Sequence, residues 1–174
     1  MTDFKELCLK RESCRAYDGR PVPKELLEEL CETALLAPSA RNYQPWVFRV
    51  CTGDTAKRIF SEALAAHGWN TWTETCPAII VIESETRQTE RLGIKYDMPV
   101  IDCGIVLAYL ALAAAEKGLG TCIIGAEDEQ KIKEILSIPT EKRIYCSIAV
   151  GWPAEPGVRA KARKPLSEAA RFDD

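Results

Sequence analysis

The chain has 174 residues, 47% of them hydrophobic and 28% charged, with a formal net charge of -3. That is enough apolar material for one domain with a core of its own, and the acidity excludes a general attraction to nucleic acid or to an anionic membrane. Any bound anion must therefore be held by a local basic cluster, and no apolar run approaches the roughly 20 residues of a membrane span.

The N-terminus is charged and lacks the apolar centre of a signal peptide, so the expected compartment is the cytoplasm. Thr2 to Lys10 predicts a short helix with Thr2 as its cap, and Arg11 to Arg20 a polar, extended segment. Pro23 suits the first turn of the next helix. Its apolar stripe is Leu27, Leu30, Cys31 and Ala34, and Pro38 stops it. Trp46 to Cys51 predicts a strand, and Asp54 caps a helix running to about Ala66. His67 to Thr75 is a loop, Ala78 to Ile82 a fully buried strand, and Glu83 to Asp97 a charged, exposed stretch. Pro99 opens the longest helix, which ends at about Lys117 with Gly118 as a left-handed cap. Its most apolar stretch, Val100 to Ala115, is too short to span a membrane and contains Asp102. Apolar residues on almost every face put this helix in a core or at a subunit interface. Thr121 to Ile124 is a strand, Glu127 to Leu136 an amphipathic helix, and Ile144 to Val150 the last strand. An irregular, basic tail follows. About four strands and five helices, with no glycine-rich phosphate loop after a strand, predict a single α+β domain over residues 1–174 and not a dinucleotide-binding fold.

The eight cysteines include no CxxC pair and the only histidine is His67. This pattern fits buried free thiols in a reducing cell, not a zinc or iron–sulfur site. His67 has no nucleophile motif and no obvious nucleophile or carboxylate partner, and no catalytic residue is assigned. Asp102 falls in the first turn of its helix, where a carboxylate suits the dipole and a structural role is expected.

Arg11, Ser13 and Arg15 alternate, so an extended backbone puts all three on one face. Two guanidinium groups and a hydroxyl suit a phosphate dianion, although a solvated charged edge has the same spacing. Arg159, Lys161 and Arg163 repeat the pattern near the other end of the chain, and the two clusters could meet on one anion within the fold or across a dimer. Ala37 to Trp46 places Ser39, Asn42 and Gln44 in a proline-bounded loop. Such neutral groups suit the edge of a polar heterocycle or simply bond the local backbone. Gly118 to Gly125 is a constrained turn that either caps a helix or lets a ligand approach the backbone.

Taken in order, these pieces resemble the nitroreductase family of flavoproteins. The resemblance is carried by Arg11-Glu12-Ser13-Cys14-Arg15-Ala16-Tyr17, Pro21-Val22-Pro23, the segment Ala37 to Trp46, Glu116 to Cys122, Ala149-Val150-Gly151-Trp152-Pro153 and Lys161 to Leu166. It implies a nitroreductase-like fold with a mixed central sheet flanked by helices, in a homodimer with the central helices packed together. By the same resemblance, Arg11, Ser13 and Arg15 hold the phosphate and ribityl chain of FMN, and Lys161 and Arg163 close on the same region. Pro38, Ser39 and Asn42 reach the isoalloxazine ring from the partner subunit. The backbone at Ile124 and Gly125 meets the flavin near N5 and O4, and Asn70 is a further, weaker candidate. The implied activity passes electrons from NADH or NADPH to small electron-poor acceptors, such as nitroaromatics or quinones, in a ping-pong cycle. Two alternatives remain open at this point. One is another flavin chemistry on the same fold, such as reductive dehalogenation or flavin fragmentation. The other is a non-enzymatic FMN-binding module.

Overall fold

The structure, a computed structural model, describes residues 3–86, 88–155 and 157–173. Its helices are α1 (Phe4–Lys10), α2 (Lys24–Ala34), α3 (Gly53–Arg58), α4 (Met98–Glu116), α5 (Glu129–Leu136) and α6 (Leu166–Ala169). Its strands are β1 (Trp46–Thr52), β2 (Ala78–Ser84), β3 (Gln88–Arg91), β4 (Ile94–Asp97), β5 (Gly120–Ile124) and β6 (Arg143–Gly151). The predicted Thr2 cap lies outside the described residues, and Asp3 takes that place, accepting from the Lys5 amide at 3.4 Å.

Four strands form one sheet in the order β1-β2-β6-β5. Every neighbouring pair is antiparallel, which corrects the expected mixed sheet. The reason is visible in the register. Thr52 pairs with Ala78, so the chain leaves and re-enters the sheet at the same end. Parallel pairing among the described residues is confined to the isolated bridge between Ser13 and Thr121.

β2 is buried at all seven positions. Side chains alternate across a strand, so Ile80 and Ile82 face α2 and α4, whereas Ile79 and Val81 face α3 and α5. This central position explains the uninterrupted β-branched run. Each fully buried Ile or Leu of these two cores contributes about 1.5–3 kcal/mol of transfer free energy. The predicted α3 helix changes character. Thr52, not Asp54, occupies its cap position, and Ile59–Ala65 continues it as a π-helical segment. The stretch from Glu83 is also less irregular than expected. Glu83 and Ser84 extend β2, and β3 and β4 form a separate hairpin.

α4 runs from Met98 to Glu116, long and apolar enough by composition to cross a membrane, which the shorter apolar run in the sequence does not suggest. Nine of its residues are nevertheless buried inside this fold, among them Val106, Leu107, Leu110 and Ala114. Its other face is apolar too, with Val100 45%, Ile101 57% and Tyr109 36% exposed. Gly118 follows with φ +76°, the expected left-handed cap.

Candidate functional site

The segment Arg11 to Tyr17 lies against the end of the sheet. The Cys14 amide donates to Thr121 O at 2.8 Å, the Asp18 amide to Trp152 O at 3.0 Å and the Ala154 amide to Ala16 O at 3.0 Å. Two glycines make this close approach possible. A Cβ on Gly120 would lie 2.7 Å from Cys14 Cβ and Sγ, and one on Gly151 would lie 2.8 Å from Tyr17 Cδ1. Cys14 and Tyr17 are buried, and the Tyr17 hydroxyl donates to Cys14 O at 3.1 Å. Arg11 and Ser13 are half-buried and Arg15 is exposed. The extended backbone thus anchors its inward residues and leaves the arginines toward solvent.

The tail returns to this segment within the same chain. Arg159 Nη2 donates to Ser13 O at 2.6 Å, its Nε pairs with Glu12 at 3.2 Å, and Lys161 Nζ donates to Arg11 O at 2.6 Å. Partial burial lowers the Lys161 pKa, and the positive charges of Arg11, Arg163 and Arg159 add to the effect, against the opposing pull of Glu12. The positive charges of three arginines thus act on Lys161 with Glu12 as the opposing carboxylate, a balance that a bound anion would relieve. Arg163 also donates to Ala162 O at 2.7 Å. Arg159 was visible in the sequence as part of the basic tail, but its contact with Glu12 and Ser13 was not. Two grooves of about 540 Å³ each flank the segment, one along Arg11, Gly120 and Trp152, the other along Ser13, Arg15 and Arg159. A cavity of about 1010 Å³ between α2 and β1 is lined by none of the predicted site residues.

The loop after α2 is strained. Arg41, Asn42 and Gln44 all have positive φ, at 55°, 56° and 49°. Such conformations cost non-glycine residues of order 1–3 kcal/mol each and persist where their surroundings enforce them. Here the enforcing contacts are the Gln44 amide to Ser39 Oγ at 2.9 Å and the Ala40 amide to Asp102 Oδ1 at 3.0 Å. Asp102 is buried and therefore structural, as expected, although it serves a loop and not its own helix. Gln44 Nε2 donates to Asn42 O at 3.2 Å, so Ser39 and Gln44 are engaged locally. Pro38 and the Asn42 side chain remain exposed.

The third element is the end of β5. Ile124 is buried, and a Cβ on Gly125 would meet nothing within 4 Å, so a flat ligand has a clear approach to this backbone. Asn70 Nδ2 donates to Ala126 O at 2.8 Å. His67 is exposed, as expected, but it has a carboxylate partner the sequence did not suggest, Asp128, whose Oδ2 lies 3.2 Å from Nε2.

The basic segment sits beside the C-terminal end of α4, whereas Asp102 ties the strained loop to its N-terminal end. Asp102 and Lys117 are separated by about 22 Å of helix at about 1.5 Å per residue. One chain therefore holds the two arrays apart, with the exposed apolar face of α4 between them.

The eight cysteines are all unpaired. Burial pushes the Cys31, Cys51 and Cys103 thiols up to about 11 and Cys76 to about 12, so these are packed thiols and not reactive thiolates.

Comparison with known proteins gives the family and the fold. The profile of the Nitroreductase family matches residues 8–152. A protein of Thermus thermophilus described as an NADH dehydrogenase is 31% identical, covering 89% of this chain and 89% of its own. An oxygen-insensitive NADPH nitroreductase of Helicobacter acinonychis is 28% identical over 95% of this chain and 94% of its own. A solved structure described as an oxidoreductase containing FMN superposes with a TM-score of 0.80 at 30% identity, covering 99% of this chain and 94% of that one.

Proposed function

The chain belongs to the nitroreductase family and is an NAD(P)H-dependent oxidoreductase, and from that premise we infer that it binds FMN and passes electrons to small electron-poor acceptors such as nitroaromatics or quinones. The observation that carries this reading is the return of the basic tail onto the Arg11–Arg15 segment of an acidic chain, where Lys161 donates to Arg11 O and Arg159 to Ser13 O, each at 2.6 Å. These cations fit a phosphate monoester. Ser13 and Arg15, on the same segment, suit the ribityl chain.

The functional unit is a homodimer, with residues 1–174 of each chain as one domain. Exposed apolar patches of this kind mark protein–protein contacts, and two α4 helices laid antiparallel would cover each other's open faces. They would also bring Pro38, Ser39 and Asn42 of one chain toward the basic segment of the other, two elements that a single chain holds at opposite ends of α4. The backbone at Ile124 and Gly125 would then face the reactive edge of the ring.

When bound, FMN supplies the two-electron chemistry. The chain's own contribution is orientation and charge. Arg11, Lys161 and Arg163 would hold the phosphate, and Arg15 would supply positive charge beside the ring. Gly125 leaves room for the donor and then the acceptor to use one opening in turn, a ping-pong cycle. The cytoplasm, where NADH and NADPH are abundant, is the expected compartment.

The test is an absorbance spectrum of the purified protein, taken before and after anaerobic addition of NADH and then NADPH, with the released cofactor identified. A flavin spectrum that bleaches, with FMN recovered, supports the reading and chooses the donor. A colourless protein that also fails to take up added FMN refutes it.

A further inference from the structure

Gly125 to Asp128 joins β5 to α5 and is fastened from outside at three points. Asn70 donates to Ala126 O at 2.8 Å, the Asp128 amide donates to Ala63 O at 2.9 Å, and the Asp128 carboxylate caps α5 through the Lys131 amide at 3.0 Å. Between these fastenings Glu127 turns inward. Both of its carboxyl oxygens are buried and neither has a hydrogen-bond partner among the described residues. Ser147 Oγ on β6, the nearby hydroxyl, is equally buried and equally unpartnered. The other titratable groups facing it are few. Glu129 on α5 is already paired with Lys133 at 2.9 Å and Arg143 at 3.0 Å, and the Cys146 thiol is its neighbour on β6. His67 and Asp128 face solvent on the outer side of the loop.

A carboxylate buried without partners is costly, and such a group stays protonated instead. Burial pushes Glu127 up to about 8; the Ser147 hydroxyl works the other way, and the charge on Glu129 adds to the rise. Below that pH the side chain is a neutral, compact plug between the loop and β6. Above it, the loop must either carry an unpaired buried charge or open to hydrate it.

We propose that Glu127 is a positioning residue whose uncharged, buried carboxyl seats the Gly125–Asp128 loop on β6, and that the loop lifts, taking the Ile124–Gly125 backbone out of place, when the carboxyl becomes charged. The functional half of this statement rests on the reading that Ile124 and Gly125 meet the flavin. The structural half does not.

Two measurements separate them. The first is amide hydrogen exchange of residues 124–128 in the FMN-free full chain, corrected for intrinsic rates, from pH 6.5 to 9.5. Opening should increase about tenfold per pH unit from pH 6.5 to about 8 in the wild type and level off above it, following the ionisation linkage, and stay flat in Glu127→Gln. The second is the rate of flavin reduction by NADH or NADPH in the FMN-loaded protein over the same range. It should fall as pH rises toward about 8 in the wild type, level off above it, and be held in Glu127→Gln. Exchange that is independent of pH in the wild type overturns the proposal. So does a wild-type carboxyl ¹³C resonance of Glu127 that titrates below pH 6, a measurement that needs no variant to fold. Exchange that responds while flavin reduction does not supports the loop mechanism and removes the placing of the flavin at Ile124 and Gly125.

Discussion

Replacing Gly120 by alanine should damage cofactor binding more than its single methyl group suggests. The new Cβ would lie 2.7 Å from both Cys14 Cβ and Cys14 Sγ and 3.1 Å from Pro153 Cγ, whereas ordinary contact begins at 3.4 Å. Cys14 must therefore retreat by about 0.7 Å. The hydrogen bond from its amide to Thr121 O is 2.8 Å long, and the same retreat takes it to the limit of a useful bond. Overpacking of this kind costs about 1–3 kcal/mol, and loss of the bond adds about 0.5–1.5 kcal/mol. The total, about 1.5–4.5 kcal/mol, is a sizeable part of the roughly 5–15 kcal/mol that holds a typical domain together. Because Arg11, Ser13 and Arg15 ride on the displaced segment, FMN affinity should fall further than the stability change alone requires. Urea unfolding of the FMN-free protein gives the first quantity, and quenching of FMN fluorescence on titration gives the second. A Gly120→Ala protein that unfolds at the wild-type midpoint and binds FMN with wild-type affinity would refute the packing argument.

Three further outcomes follow from single contacts. Asp102→Ala leaves the Ala40 amide without its acceptor, so stability should drop by about 1–3 kcal/mol, read by thermal unfolding, with loosening of the strained loop read by proteolysis after Arg41. Lys161→Ala removes one charge from the basic cluster and should weaken FMN binding about 10- to 100-fold, the range for about 1.5–3 kcal/mol in a charged hydrogen bond. Riboflavin, which has no phosphate, should bind the variant and the wild type alike, and equal losses for both ligands would show that Lys161 does not serve the phosphate. Glu127 gives a pH dependence of stability. Its carboxyl releases its proton near 4.5 when unfolded but only at about 8 when folded. Folding therefore takes up a proton between those values, and stability falls as pH rises across that window by up to about 1.4 kcal/mol per unit. Denaturation midpoints should show this slope in the wild type and lose it in Glu127→Gln.

Local periodicity made most of the architecture legible. The β-branched run at Ala78 to Ile82 announced a central strand, and Pro99 and Gly118 bracketed the long helix. What it concealed were consequences of tertiary packing. The mixed sheet was wrong because strand direction depends on where the connections return, and no residue in β1 or β2 records that. The hairpin of β3 and β4 lacks an apolar face strong enough to stand out among charges. Asp54 looked like a cap, but the cap position falls two residues earlier, at Thr52, and the helix starts at Gly53. At the site, the spacing of Arg11, Ser13 and Arg15 showed an array without showing what it faced. Its meeting with Arg159 and Lys161 spans almost the whole chain, and only the fold reveals it. Glu127 left no mark at all, since nothing in the sequence distinguishes an inward-pointing glutamate at a helix start from a solvated one.

The length of α4 has a genetic consequence. If each site draws its basic segment from one chain and its strained loop from the other, a variant damaged in the first and a variant damaged in the second are each inactive alone. Expressed together, they would form mixed dimers in which one site receives both lesions and the other receives neither. Two inactivating alleles, one in the basic segment and one in the strained loop, should then restore part of the activity in the same cell, and a purified mixed dimer should retain one working site of two.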